Sequence, residues 1–182
     1  MSVMTAVGAC GAGVAAWTFL EYALHNWAFH GAKGRNLGSR EHLAHHARPD
    51  YFAPWSTKLA AVVPAVSVLG ALVAVPTSVT PGAGFGLGVG LGWAAYEGLH
   101  RLAHVAAPRT AYGRWVRRNH LYHHFGSPRT NHGVTSPLWD LVFGTYVPVA
   151  QVRVPRKHAA KFPWMLDGDA VAPAFAQDYT VV

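Results

Sequence analysis

Three long apolar runs, residues 2–24, 57–79 and 82–99, alternate with segments of far more polar character. As a helix, the first run would reach roughly 34 Å, enough to cross the hydrocarbon core of a bilayer. The second carries Pro64 and Pro76, which predict a kink or an end. The third has glycine at every second position from Gly82 to Gly92. Glycines four apart on a helix let a neighbour approach closely in lipid. The connection from Pro76 to Pro81 is short and uncharged, so the second and third runs form a hairpin. Among the polar segments, a loop opens at Gly31 and a helix is expected near 39–47, with Ser39 as its N-cap. A second helix is expected over 112–125. A short interfacial helix starts with Ser136 as cap and Pro137 at the first helical position, and runs through Phe143. Residues 148–182 contain prolines and are expected to form a tail packed on the face that the polar segments make.

Charge turns this pattern into a topology. The chain has 182 residues, of which 51% are hydrophobic and only 13% charged, too few charges for an ordinary soluble surface. The net charge of +7 raises the question of nucleic acid, but the placement of the charges argues against it. All 15 Lys and Arg lie within Lys33–Lys58 or Arg101–Lys161, outside most of the apolar length. That asymmetry follows the positive-inside rule. It places residues 31–56 and 100–147 in a cytoplasmic cap and the 76–81 turn on the other side. The N-terminus lacks a basic stretch before its apolar run, which continues into Glu21, Tyr22 and His25, so it is expected to be a retained anchor. The single cysteine, Cys10, excludes an intrachain disulfide and a thiolate metal cluster. The expected fold is an all-α integral-membrane bundle of about three transmembrane helices with a cytoplasmic helical cap, forming one domain over 1–182.

The candidate chemistry is histidine. The chain has 12, and ten fall into four groups: His25 and His30; His42, His45 and His46; His100 and His104; His120, His123 and His124. Residues three and four apart share a helix face, so each HxxHH triplet is expected to point one way. His100 and His104 form an i, i+4 pair. His25 and His30, five apart, diverge on a regular helix and can act together only if the helix ends or distorts between them. All four groups fall at the cytoplasmic edge of the expected membrane region. Imidazole suits Zn, Cu, Fe and Ni, and ten ligands are too many for one ion and about right for two. His132 is a further candidate, whereas His158, beside Lys157, is expected to be solvated.

Three carboxylates could accept the distal N–H of a metal-bound imidazole. Glu21 lies four residues before His25 and Glu97 three before His100; a carboxylate in an apolar segment is costly and usually functional. Asp140 is the third, though its place at a helix start explains it equally well. Trp17, Trp27, Trp93, Trp139 and Phe143 are candidate pocket or interface aromatics, with plain packing the stronger expectation.

Taken in order, HxxxxH, HxxHH, HxxxH and HxxHH resemble the histidine boxes of the fatty acid hydroxylase/sterol desaturase superfamily of membrane di-iron enzymes. The run from Asn131 to Asp140, continuing through Phe143-Gly144-Thr145-Tyr146, is similar to the segment that follows the last box there. The resemblance implies a helical membrane fold and two metals held by the ten histidines of the four groups. It further implies O2-dependent hydroxylation of a lipid, fatty acyl or sterol-like, with no catalytic residue beyond the ligands. The implied cofactors are two iron ions, with zinc an alternative occupant of purified protein, and O2. The implied partners are a lipid from the bilayer and a separate electron-transfer protein of ferredoxin or cytochrome b5 type. The implied location is a bacterial plasma membrane, with the site on the cytoplasmic side. Where this chain has His132, the family often has an aromatic residue. Bacterial carotenoid hydroxylases share these spacings, so a carotenoid ring hydroxylase or a lipid desaturase is the alternative within the same chemistry. Outside it stand a haem or metal-binding membrane protein and a di-zinc hydrolase.

Overall fold

A computed structural model describes residues 3–182; Ser2, the first residue of the first apolar run, lies outside the described residues. The chain is mostly helical. Helix α1 spans Val3–Ala23 and continues as a π-helical turn over Leu24–His30. Helices α2 (Leu37–Ala47), α3 (Trp55–Ala74), α4 (Val79–Val105), α5 (Ala111–Phe125) and α6 (Leu138–Val142) follow. The all-α expectation is corrected in the tail, where Val152–Val154 (β1) pairs in parallel with Tyr179–Val181 (β4). Leu166–Asp167 (β2) and Ala170–Val171 (β3) form a small antiparallel hairpin, and a short helix, α7 (Arg156–Ala159), lies between β1 and β2.

Among the described residues, two helices are long and apolar enough to cross a membrane by length and composition: Val3–His30 and Trp55–Ala74. The third apolar run is helical within α4, but its glycines, near neutral in hydropathy, keep it out of that set. Pro64 lies inside α3, and Pro76 follows its end, so α3 stops five residues short of the expected Val79.

The chain divides into two compact units, residues 1–21 with 53–97, and residues 22–52 with 98–182. In the first, the glycines of α4 form two stripes. Gly84, Gly88 and Gly92 meet Ala6, Cys10 and Trp17 of α1, whereas Gly82 and Gly86 meet Gly70 and Val66 of α3. Each stripe repeats every four residues, so adjacent stripes serve adjacent neighbours. A Cβ at Gly88 would collide with the Cys10 carbonyl, a backbone atom that has no rotamer to yield.

In the second unit the local signals differ slightly from expectation. Asn36, not Ser39, caps α2: its side chain accepts from the Ser39 amide at 2.7 Å. Thr110 caps α5 through the Gly113 amide at 3.0 Å. Ser136 Oγ accepts from the Leu138 amide at 3.2 Å at the start of α6. Buried Arg117 donates to the carbonyls of Leu102 and Ala106, each at 2.8 Å, closing the otherwise open C-terminus of α4 and tying it to α5. The tail packs against α5 around Leu121, Val152, Val154, Phe162, Met165 and Tyr179. Asp178 pairs there with Arg114 at 2.8 Å and Arg118 at 3.1 Å. His158 is half-buried and stacks on Phe125 at 5.3 Å, so it is not the solvated residue expected from its neighbour Lys157.

The glycine stripes predict a sharp asymmetry. Gly88→Val destabilises the protein by about 1–3 kcal/mol through overpacking, read as a lower thermal unfolding midpoint in detergent. Gly11→Ala, at a helix position with open space around it, leaves the midpoint unchanged or raises it.

Candidate metal centre

The ten grouped histidines converge, and all of them belong to the second unit. They form two groups of five: His25, His30, His42, His46 and His123; and His45, His100, His104, His120 and His124. Within each group one ligand nitrogen per residue lies within 4.8 Å of every other.

Local backbone geometry explains the partition. The π-helical turn bonds the Gly31 amide to the Asn26 carbonyl at 2.9 Å, five residues back. His25 and His30 are therefore one turn apart and stack at 5.3 Å, the distortion their spacing requires. In α2, residues 42 and 46 are separated by about 40° around the axis, but 45 and 46 by about 100°. His42 and His46 accordingly enter the first group and His45 the second. Helix α5 repeats the pattern with the groups exchanged: His120 and His124 enter the second, His123 the first. The expectation that each triplet points one way is corrected: each triplet spans both groups.

Hydrogen bonds behind the rings fix their tautomers. His25 Nδ1 donates to the His132 carbonyl at 2.5 Å and His123 Nδ1 to the Thr130 carbonyl at 2.7 Å. His45 Nδ1 donates to the Tyr51 carbonyl at 2.7 Å. A carbonyl only accepts, so in each neutral ring the proton sits on Nδ1 and Nε2 presents a bare lone pair. Yet His25 Nε2 and His123 Nε2 are 2.9 Å apart, and neither can donate to the other. His30 Nε2 also lies 2.9 Å from His123 Nε2, and His100 Nε2 lies 2.9 Å from His45 Nε2. Converging lone pairs are repulsive unless a cation lies among them. Two nitrogens bound about 2.1 Å from one ion at a right angle would be roughly 3.0 Å apart. The donor set therefore fits a metal ion in each group.

The surroundings keep these rings neutral. Burial, then neighbouring imidazoles, hold His42, His120, His123 and His124 well below the usual imidazole range, and the same causes push His46 down to about 2. Aromatic rings cover the second group: Phe52 lies 5.2 Å from His45, and Phe162 stacks on His104 at 5.5 Å. Trp164 Nε1 donates to the His104 carbonyl at 3.1 Å.

The other candidates divide. Glu97 is ion-paired with Lys58, and Glu21 is buried; both lie in the first unit. Asp140 is fully buried and accepts from the amides of His132 at 2.9 Å and Gly133 at 2.7 Å, and from Thr145 Oγ1 at 2.6 Å. Burial raises its pKa, but the His132 ring nitrogen 3.4 Å away, then Thr145 and the two amides, outweigh burial and hold it below the usual carboxylate range. His132 is buried beside the first group, its ring 5.3 Å from His123 and 5.5 Å from His25, but it is not one of the five. Trp17 packs on Tyr96 and Trp93 on Trp55. Trp27, Trp139 and Phe143 cluster over buried Tyr22 in the second unit. The sequence reading missed Asn119, whose side chain donates to the Gly133 carbonyl at 3.1 Å, and the carbonyls of Tyr51, Thr130 and His132. A backbone oxygen leaves no side-chain signature to find.

A mostly helical protein with ten convergent histidines is thus the class that fold and site define. The chain belongs to the fatty acid hydroxylase family, which its sequence matches over residues 10–145. It is 33% identical over 150 residues to a dihydroceramide fatty acyl 2-hydroxylase of Arabidopsis thaliana, covering 80% of this chain and 62% of that protein. It is 29% identical to a ceramide very long chain fatty acid hydroxylase of Saccharomyces cerevisiae, covering 74% of this chain and 37% of that one. Among solved structures it is similar to full length scs7p, of which only the hydroxylase domain is visible. The TM-score there is 0.65 and the identity 27%, covering 81% of this chain and 58% of that one. The chain thus spans less than two thirds of the length of these relatives.

The depressed histidines set the sign of a pH effect. Each is neutral in the folded protein and titrates near 6.5 when unfolded, so its contribution is complete above pH 6.5 and lost as pH falls towards the folded value. For His46 that window runs from 6.5 down to about 2. The metal-free protein is expected to lose stability as pH drops from 7.5 to 5. His46→Gln removes one proton from that dependence, about 1.4 kcal/mol per pH unit, measurable by denaturant unfolding at stepped pH.

Proposed function

We propose that this protein is a membrane di-iron hydroxylase that uses O2 to hydroxylate a lipid acyl chain. The observation that carries this reading is the convergence of two groups of five imidazoles, in which His25 and His123 turn bare nitrogens on each other and His45 offers another. The names of the relatives support an acyl substrate of the fatty acid or ceramide type and favour it over a carotenoid ring. Haem is disfavoured, because five imidazole nitrogens within 4.8 Å of one another leave no room for a tetrapyrrole among them.

In this reading the ten grouped histidines hold two iron ions. Bound iron supplies the reduction of O2 and the oxidation of an unactivated C–H bond. The chain's own groups do the rest. The carbonyls of Tyr51, Thr130 and His132 keep His45, His123 and His25 in the metal-binding tautomer. Phe52 and Phe162 shield the second group from water. The charge asymmetry of the sequence supports three spans near 2–24, 57–79 and 82–99, with residues 31–56 and 100–147 on the cytoplasmic side. The single domain of the reading covers 1–182, and electrons come from a separate carrier protein.

Purified protein is expected to hold about two metal ions per chain, one for each histidine group. With iron, a reductant and air it adds one oxygen atom to a fatty acyl lipid, followed by mass spectrometry. His45→Ala and His123→Ala each lower turnover by at least a hundredfold. Turnover that persists without O2 would move the site to hydrolysis, and loss of two hydrogens without gain of oxygen would make it a desaturase.

A further inference from the structure

The segment from Thr130 to Gly133 serves one histidine group only. Its carbonyls at Thr130 and His132 take the Nδ1 protons of His123 and His25, both of the first group. The second group's His45 is instead held by Tyr51 of another segment. Three side chains hold the 130–133 strap, and Asp140 takes both of the amides that flank its His132 carbonyl. Asp140 uses one carboxylate oxygen for the His132 amide and the other for the Gly133 amide, and Thr145 Oγ1 adds a third donor. Asn119 fixes the Gly133 carbonyl. Asn131 bonds both the amide and the carbonyl of Val147, at 2.8 and 3.0 Å.

We propose that Asp140 is a positioning residue that makes the first metal site selectively, acting through the backbone of His132 and Gly133 and touching only the ungrouped His132 ring, at 3.4 Å, rather than any of the ten grouped imidazoles. Its two oxygens orient the strap, the strap's carbonyls set the tautomer of His25 and His123, and those two rings then present bare nitrogens to the ion. An amide cannot replace the carboxylate. In Asp140→Asn one terminus becomes an N–H donor facing a backbone N–H donor, so one strap amide is left buried and unpaired. The second group's His45 is held by the Tyr51 carbonyl, and that group should be indifferent to the change.

The inference rests on the two-metal reading, and the experiment separates the two. Metal content per chain is measured by mass spectrometry on full-length protein purified in detergent, with circular dichroism and thermal midpoint as checks on folding. The parent should carry about two ions, Asp140→Asn about one, and Asp140→Asn with His45→Ala close to none. His132→Phe, which keeps the carbonyl and the ring volume but removes the imidazole, should still carry about two. If Asp140→Asn folds poorly, Thr145→Val, which removes one donor, should weaken one of the two zinc affinities about tenfold and leave the other unchanged. The proposal is overturned if Asp140→Asn retains both ions, if it loses both with its fold intact, or if His132→Phe loses one while Asp140→Asn does not. A parent protein without metal would instead overturn the functional reading beneath it.

Discussion

Imidazole lone pairs facing one another across 2.9 Å repel, and the second unit of this protein forces that approach between His25 and His123. Backbone carbonyls take the Nδ1 protons, which strips the facing nitrogens of any hydrogen they could share. Burial then denies the rings a compensating charge, because a protonated imidazole is disfavoured away from water. The arrangement is unfavourable alone and favourable around a cation. In such a site metal affinity and folding energy would be coupled, since a bound cation would relieve the repulsion that the fold imposes.

Four helical pieces must deliver their rings to that place, and each does so by a different local device. A π-helical turn brings together His25 and His30, which an α-helix would splay. Caps by Asn36 and Thr110 fix where α2 and α5 begin, and so where the two HxxHH triplets face. Arg117 binds the carbonyls of Leu102 and Ala106, which flank His104 at the end of α4. The tail contributes covering rings and an indole hydrogen bond to His104 rather than a ligand. Chemistry is confined to helix faces, whereas the irregular segments supply the carbonyls that orient it.

The first unit answers a different constraint. Its α4 is too rich in glycine to be strongly hydrophobic, and that glycine is spent on backbone-to-backbone contact with α1 and α3. Close packing of this kind relies on dispersion and shape rather than on excluding water, which suits helices surrounded by hydrocarbon.

The sequence by itself determined the helical character, the four histidine groups, the apolar runs and the glycine stripes, because these are periodic and periodicity is local. It also exposed the conflict between His25 and His30, since five residues do not fit an α-helical turn. Only the tertiary structure decided how ten histidines become two groups of five. On one helix His45 and His46 are about 100° apart, and nothing in the chain says which neighbour each will meet. Asp140 stood out in the sequence as a candidate carboxylate, but its partners, the His132 and Gly133 amides, were hidden, because backbone atoms belong to every residue. The strands of the tail and the stacking of His158 on Phe125 depended on contacts with α5, distant in sequence. Spacing could propose the ligands; the fold chose their partners, because a lone pair acquires its meaning from what it faces.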